Sequence, residues 1–205
     1  RNFEDFDVII APFLKMVDDE LANRLTDYVE HGGTLIASFR TGIKDFRNLV
    51  LDRTRPGKLA DLFGIKINTY TPIAENSRFT IKGCAENWER EYPAYQWADC
   101  IEPKSAETLA NYKEGWPGEE GYAAVTRNEL GQGNAVYVGT GSDQQFYNDL
   151  IQSLMNILGV EPILESEKTL EITTRKFSGE ERGKDRLIFA INHSRERRKV
   201  KLDKE

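Results

Sequence analysis

A short run at positions 6–11, apolar except for Asp7, opens the chain, and such a run suits a strand covered on both faces. Asp18 stands where it can cap a helix, and Leu21, Leu25, Tyr28 and Val29 then recur at helical spacing. His31-Gly32-Gly33 ends that helix, because glycine accepts the left-handed backbone a helix terminus needs. Positions 34–39, with Leu35, Ile36, Ala37 and Phe39, predict a second strand. Strand, helix and strand in that order make, most simply, a parallel right-handed unit.

Pro56 opens a short helical pattern with Leu59, Leu62 and Phe63 on one face, and Gly64 stops it. Positions 65–70 alternate as a strand, and weaker strand signals follow at 79–81, 95–101 and 108–112. A loop at Trp116-Pro117-Gly118 precedes two further strands, 122–127 and 134–138, joined by a turn at 128–133. Asp143 caps a last helix whose rows Phe146-Leu150-Leu154-Leu158 and Tyr147-Ile151-Met155 make a wide apolar stripe, the mark of deep packing on a sheet. Gly159 and Pro162 close it. Strands then recur at 170–177, 187–192 and 199–202 with polar turns, an antiparallel pattern. The chain thus divides into an α/β domain, 1–162, with a mainly parallel sheet flanked by helices, and a small antiparallel β domain, 163–205, expected to be incomplete.

Composition narrows the function. At 205 residues the chain is too short for a (β/α)8 barrel, which needs about 250. A net charge of −6 argues against a nucleic-acid surface, and no apolar run reaches membrane-spanning length. The chain starts at Arg1 directly before a strand and shows no signal-peptide pattern, so an internal piece of a longer protein is expected. Cys84 and Cys100 have no CxxC spacing and no neighbouring histidine pair. Reduced core thiols are expected there, with a disulfide left open, and neither metal nor cofactor is expected.

Several motifs occur in a fixed order: FDVIIAP at 6–12, the amphipathic stretch 20–33 ending in a double glycine, TLIAS at 34–38 and TGIKD at 41–45. PGKLADLFG at 56–64, AVTRN at 124–128 and GQGNAVYVGT at 131–140 follow. Together they resemble the non-catalytic middle domain of family 42 glycoside hydrolases, which are β-galactosidases. Phe46 departs from the pattern, since an acidic residue is more usual there. The resemblance implies a flavodoxin-like or amidotransferase-like domain that helps hold a homotrimer, followed by a small β-sandwich domain. It implies a cytoplasmic parent that hydrolyses terminal β-D-galactosyl residues. The two glutamates of such a retaining enzyme lie on a barrel this chain lacks, so no catalytic residue carries over. The expected partners are other copies of the chain, the catalytic barrel and, for the parent, a β-galactoside; neither nucleic acid nor membrane is among them.

Other chemistry competes for the same residues. An amidotransferase needs a cysteine on a strained strand-to-helix elbow beside a histidine. Cys84 precedes no convincing helix, and His31 and His193 lie at a helix end and in the second domain. Gly139-Thr140-Gly141 before Asp143 could offer N–H groups to an anion, but Gln144 replaces the third glycine of a dinucleotide fingerprint. A tight turn followed by a helix cap is the simpler reading. Trp88, Tyr92, Tyr95, Trp97, Tyr112 and Trp116 could stack on sugar in a stand-alone carbohydrate-binding module, although packing is the default for aromatics. Arg195, Arg197, Arg198, Lys199 and Lys201 fit a solvated strand edge. The candidate interface is therefore Thr41, Lys44, Asp45 and Phe46 on the 41–48 loop with Trp88, Trp97 and Trp116, an apolar patch too large for an ordinary monomer surface.

Overall fold

The computed structural model describes residues 2–75, 77, 79–85, 88–114, 116, 121–159, 164, 169–176 and 186–200. Packing divides the chain into two units, Arg1–Leu154 and Met155–Glu205. Pro162, the expected boundary at 162/163, and the last expected strand beyond Val200 lie outside the described residues, and Lys199 and Val200 are not in a strand.

The first unit opens with β1 (Val8–Ala11), α1 (Asp19–Glu30) and β2 (Thr34–Ser38). Asp18 caps α1, its carboxylate accepting from the Leu21 N–H at 2.7 Å. At the other end Gly32 has φ +107°, and a side chain on Gly33 would strike the Tyr28 ring at 2.2 Å, so the double glycine lets the chain turn tightly under that ring. A 3-10 turn, Gly57–Leu59, leads into α2 (Ala60–Phe63). Then come β3 (Ile65–Pro72), β4 (Phe79–Gly83), β5 (Glu91–Pro103), β6 (Glu107–Glu114), β7 (Ala123–Leu130), β8 (Gly133–Val138), β9 (Thr140–Gly141) and α3 (Gln144–Ile157).

These strands form one mixed nine-stranded sheet in the order β1-β2-β8-β7-β6-β4-β5-β3, with β9 beside β5. Parallel pairing is confined to β1–β2 and β2–β8. Every other strand pair in the sheet is antiparallel, so the expected mainly parallel sheet is corrected to a mixed one. The reason is local: hairpins such as β7–β8 run straight back with no crossover helix between them, and Leu130 already faces Gly133. β5 is long enough to pair β4 through one half and β3 through the other, and it also meets β7 at Ile101↔Ala123. Because β6 joins β4 to β7, the pairings β4–β5–β7–β6 close a ring.

Alternation along the strands sorts the core onto two faces. Leu35, Ala37, Ala135 and Tyr137 face α1 and α2, packing with Leu25, Val29, Leu62 and Phe63. Ile36, Val136 and Val138 face α3, packing with Phe146, Leu150 and Leu154. β1 differs from its expectation of burial on both faces: it is the sheet edge, and Val8 and Ile10 are 40% and 61% exposed. Ile10 lies level with Ile36, so this apolar face continues the α3 side of the sheet past the helix.

The second unit contains β10 (Leu170–Lys176) and β11 (Arg186–Asn192), paired antiparallel from Leu170↔Asn192 to Lys176↔Arg186. Leu187, Ile188, Phe189 and Ile191 of β11 are exposed.

Candidate interface site

The loop leaving β2 is built from the inside outward. The buried Thr41 hydroxyl donates to the Ser38 carbonyl at 2.6 Å. Lys44 bridges Met16 and Val50 through its backbone, and its Nζ donates to Asn48 Oδ1 at 2.7 Å. Asp45 Oδ1 accepts from the N–H groups of Arg47 and Leu49, both at 2.9 Å. Those bonds close the turn on itself and turn its apolar tip outward: Phe46, Leu49 and Val50 are 59%, 61% and 67% exposed. At the base, Gly42 and Gly57 each have φ +66°. A side chain at Gly42 would meet the Pro56 carbonyl at 2.1 Å, and one at Gly57 the Gly42 carbonyl at 2.5 Å. Only glycine allows the two backbones to meet there.

Beside the loop base stands a layered stack. The Arg55 guanidinium lies 4.0 Å from the centre of the Tyr70 ring. Tyr70 stacks on Trp97 at 4.5 Å and 13°. The Arg40 guanidinium lies over the Trp97 ring at 4.9 Å, so each ring of the pair, whose faces carry negative charge, has a cation against it. Arg40 itself sits at φ +65°, a conformation side chains rarely adopt.

A buried carboxylate anchors the stack. Asp99 Oδ1 accepts from Trp97 Nε1 at 2.8 Å, while Oδ2 accepts from the Tyr137 hydroxyl at 2.9 Å and the Arg40 N–H at 3.4 Å. Burial is the largest influence on Asp99 and pushes its carboxyl above the usual range, against the lowering from these donors and from the Arg55 charge. Burial and the Asp99 charge together raise the Tyr112 and Tyr137 phenols well above their ordinary value and push the Cys100 thiol up to about 12.

The structure brings some of the expected residues together and separates others. Thr41, Lys44, Asp45 and Phe46 share one loop, and Trp97 joins them through Tyr70 and Arg40. Thr41 is interior and supports the loop without reaching its surface. Trp88, at 2% exposure, is a core residue and not a surface one, a correction to its expected role. Its Nε1 donates to the Tyr92 hydroxyl at 2.8 Å, which in turn donates to Asp149 on α3 at 2.7 Å, so its indole is spent on the core. Trp116 is exposed but sits against Tyr122, at a ring distance of 6.0 Å. Sequence reasoning missed Arg40, Arg55, Tyr70, Asp99, Leu49 and Val50. A lone acidic residue inside the apolar run Ala98-Asp99-Cys100-Ile101 was the available signal for the anchor.

The competing chemistries find little purchase. Cys84 and Cys100 are free thiols, and Cys84 is exposed where a core position was expected. His31 Nδ1 lies 2.7 Å from the Asp27 carbonyl at the end of α1, and His193 pairs with Glu171 at 2.8 Å in the second unit. Gly139-Thr140-Gly141 is not a tight turn: Thr140 and Gly141 form β9, while Asp143 does cap α3, accepting from the Phe146 N–H at 2.8 Å. Among the described residues no cluster of histidine, cysteine and acidic side chains is arranged to hold a metal. No described helix is long and apolar enough to cross a membrane.

Comparison with known proteins bears on the whole chain. The family described as β-galactosidase trimerisation domain matches residues 1–161. β-Galactosidase BgaB of Geobacillus sp. is 34% identical over 189 residues, which cover 92% of this chain and 26% of that protein. β-Galactosidase BgaA of Clostridium cellulovorans is 35% identical over 156 residues, 76% of this chain and 23% of that protein. Among solved structures, the β-galactosidase of Bacillus circulans sp. alkalophilus superposes with a TM-score of 0.84 at 28% identity, over 94% of this chain and 28% of that one. Gan42B, a GH42 β-galactosidase of G. stearothermophilus, gives a TM-score of 0.85 at 26% identity, over 100% of this chain and 28% of that one. The chain therefore spans about a quarter of the length of the relatives it matches.

Proposed function

The chain belongs to the β-galactosidase trimerisation domain family of the family 42 glycoside hydrolases, and from that premise we propose that it assembles a larger β-galactosidase into a homotrimer. The parent, in this reading, hydrolyses terminal β-D-galactosyl residues in the cytoplasm, the compartment the resemblance implies. Its carboxylate pair stands on a barrel outside these residues. The match over residues 1–161 carries the reading and also supports a domain division at 162/163. A flavodoxin-like ancestry fits the parallel β1-α1-β2-β8 part, with the antiparallel strands as an elaboration.

We assign self-association to the 41–50 loop. Its tip offers three adjacent apolar side chains to water, held by a turn that is already hydrogen-bonded and has little order left to gain on binding. Lys44, Asp45 and Phe46 belong to this surface, with Trp97 beside it and Thr41 beneath; Trp116 is the remaining exposed candidate.

Sedimentation equilibrium tests the assignment. The chain should run at three times its 23.4 kDa mass, and the combined variant Phe46→Ser, Leu49→Ser, Val50→Ser should run as a folded monomer. A trimer that survives the three substitutions removes the loop from the interface; a wild-type monomer places the determinants of assembly outside these residues. The same preparation, freed of host galactosidase, should leave a chromogenic β-galactoside intact, and turnover would contradict the assignment of chemistry to the missing barrel.

A further inference from the structure

Between the 41–55 loop and β3 lies a pocket of about 220 Å³ whose wall includes Gly42, Leu51, Arg53, Arg55, Asn68 and Tyr70. No acidic side chain lines it, in a chain of net charge −6. Among the described residues no carboxylate is within ion-pairing distance of Arg53 or Arg55, whose charges reach Asp19 and Asp99 only from farther off. Elsewhere in this unit Lys58, Arg90, Lys104, Lys113 and Arg127 each have an acidic neighbour within pairing distance.

We propose that this pocket is an oxyanion site, in which the guanidiniums of Arg53 and Arg55 take a carboxylate or phosphate group. The planar guanidinium presents paired N–H donors whose spacing matches two oxygens of either group. Arg55 is set before the ligand arrives: its backbone carbonyl accepts from the Ile67 N–H at 2.9 Å, and its guanidinium carbon sits 4.0 Å from the centre of the Tyr70 ring. Tyr70 is held in turn by Trp97, and Trp97 by Asp99. A cation lying on a ring still has its in-plane N–H edge free for an oxyanion. Asn68 also lines the pocket, but its Nδ2 already donates to Glu102 at 2.7 Å, so the two arginines carry the binding.

The oxyanion can come from solution or from an acidic side chain of a neighbouring chain, and one experiment separates the two. The full 205-residue chain, isotopically labelled, is titrated with inorganic phosphate and with glutarate at constant ionic strength, and amide shifts are followed. Saturable shifts should concentrate at Gly42, Arg53, Thr54, Arg55 and Asn68. Arg53→Gln and Arg55→Gln should each weaken the titration by about tenfold or more, the scale of one lost charge-assisted contact. Sedimentation of the same variants identifies the source. Loss of association with salt or with Arg53→Gln points to a carboxylate of a second chain, while unchanged association together with phosphate binding points to a small anion. Absence of saturable shifts combined with unchanged association in both variants overturns the site, as does undiminished binding in the double variant with its spectrum otherwise native. Val50 of the apolar tip also borders the pocket, but the phosphate titration reads anion binding alone, so its outcome is distinguishable from that of the trimer assignment.

Discussion

Asp99 sets the chemistry of the stack, and its consequence is a pH dependence of stability. Its folded pKa is raised by burial above an ordinary value of 3.8. The folded chain therefore holds this proton more tightly than the unfolded chain does. The stabilisation is complete below 3.8 and is lost as pH rises through the folded value. Asp99→Asn removes this term, so a plot of melting temperature against pH for the variant should lack the decline that wild type shows upward from that point. Parallel curves would show that Asp99 titrates alike in both states. Tyr92 gives a second residue-level expectation. Tyr92→Phe deprives the buried Trp88 Nε1 of its acceptor and Asp149 of a donor. An unsatisfied buried donor costs about 1–3 kcal/mol, which urea unfolding should report as a lower midpoint at unchanged slope. A variant as stable as wild type would mean that water replaces the phenol. Neither network was legible in the sequence: Trp97 and Asp99, two residues apart, share a face in any strand, but that Tyr137 and the Arg40 N–H close over that carboxylate, and Asp149 over Tyr92, depends on segments distant in the chain.

At the scale of elements, the apolar pattern located strands well and misjudged their surroundings. The run at 6–11 is apolar at every position but Asp7, and such a run reads as burial on both faces. In the structure it is an edge, with Ile10 open to solvent. An edge strand with an apolar face and unpaired N–H and C=O groups is a template for pairing with another chain. Ile10→Lys should therefore leave the circular dichroism spectrum unchanged while slowing the growth of light scattering in concentrated solutions of the isolated chain. Equal growth in both would place the adhesive surface elsewhere. The antiparallel strands were harder to read. β5 and β6 were visible only in part, since a strand shared between two neighbours changes its buried side along its length and blurs the alternation. The helices were clearer: Asp18 and Asp143 cap as expected, because a cap is a local contact and needs no knowledge of the fold.

Across the whole molecule, the order of motifs was enough to recognise the family, while the Arg–aromatic stack beside the 41–50 loop was not foreseen. What sequence could not supply was the sheet's closure, since ring pairing depends on contacts between distant segments. The pairing of β2 with β8 sets Thr34 beside Asn134 and Ser38 beside Val138. On a ribosome adding roughly 5–20 residues per second, β2 waits on the order of 5–20 s after its own synthesis before its partner exists, whereas a hairpin closes in microseconds. During that interval Leu35, Ile36 and Ala37 have β1 and α1 on one side and nothing on the other. The nascent chain thus carries an open apolar strand while the whole stretch between β2 and β8 is added, and the arrival of the β7–β8 hairpin is what closes it.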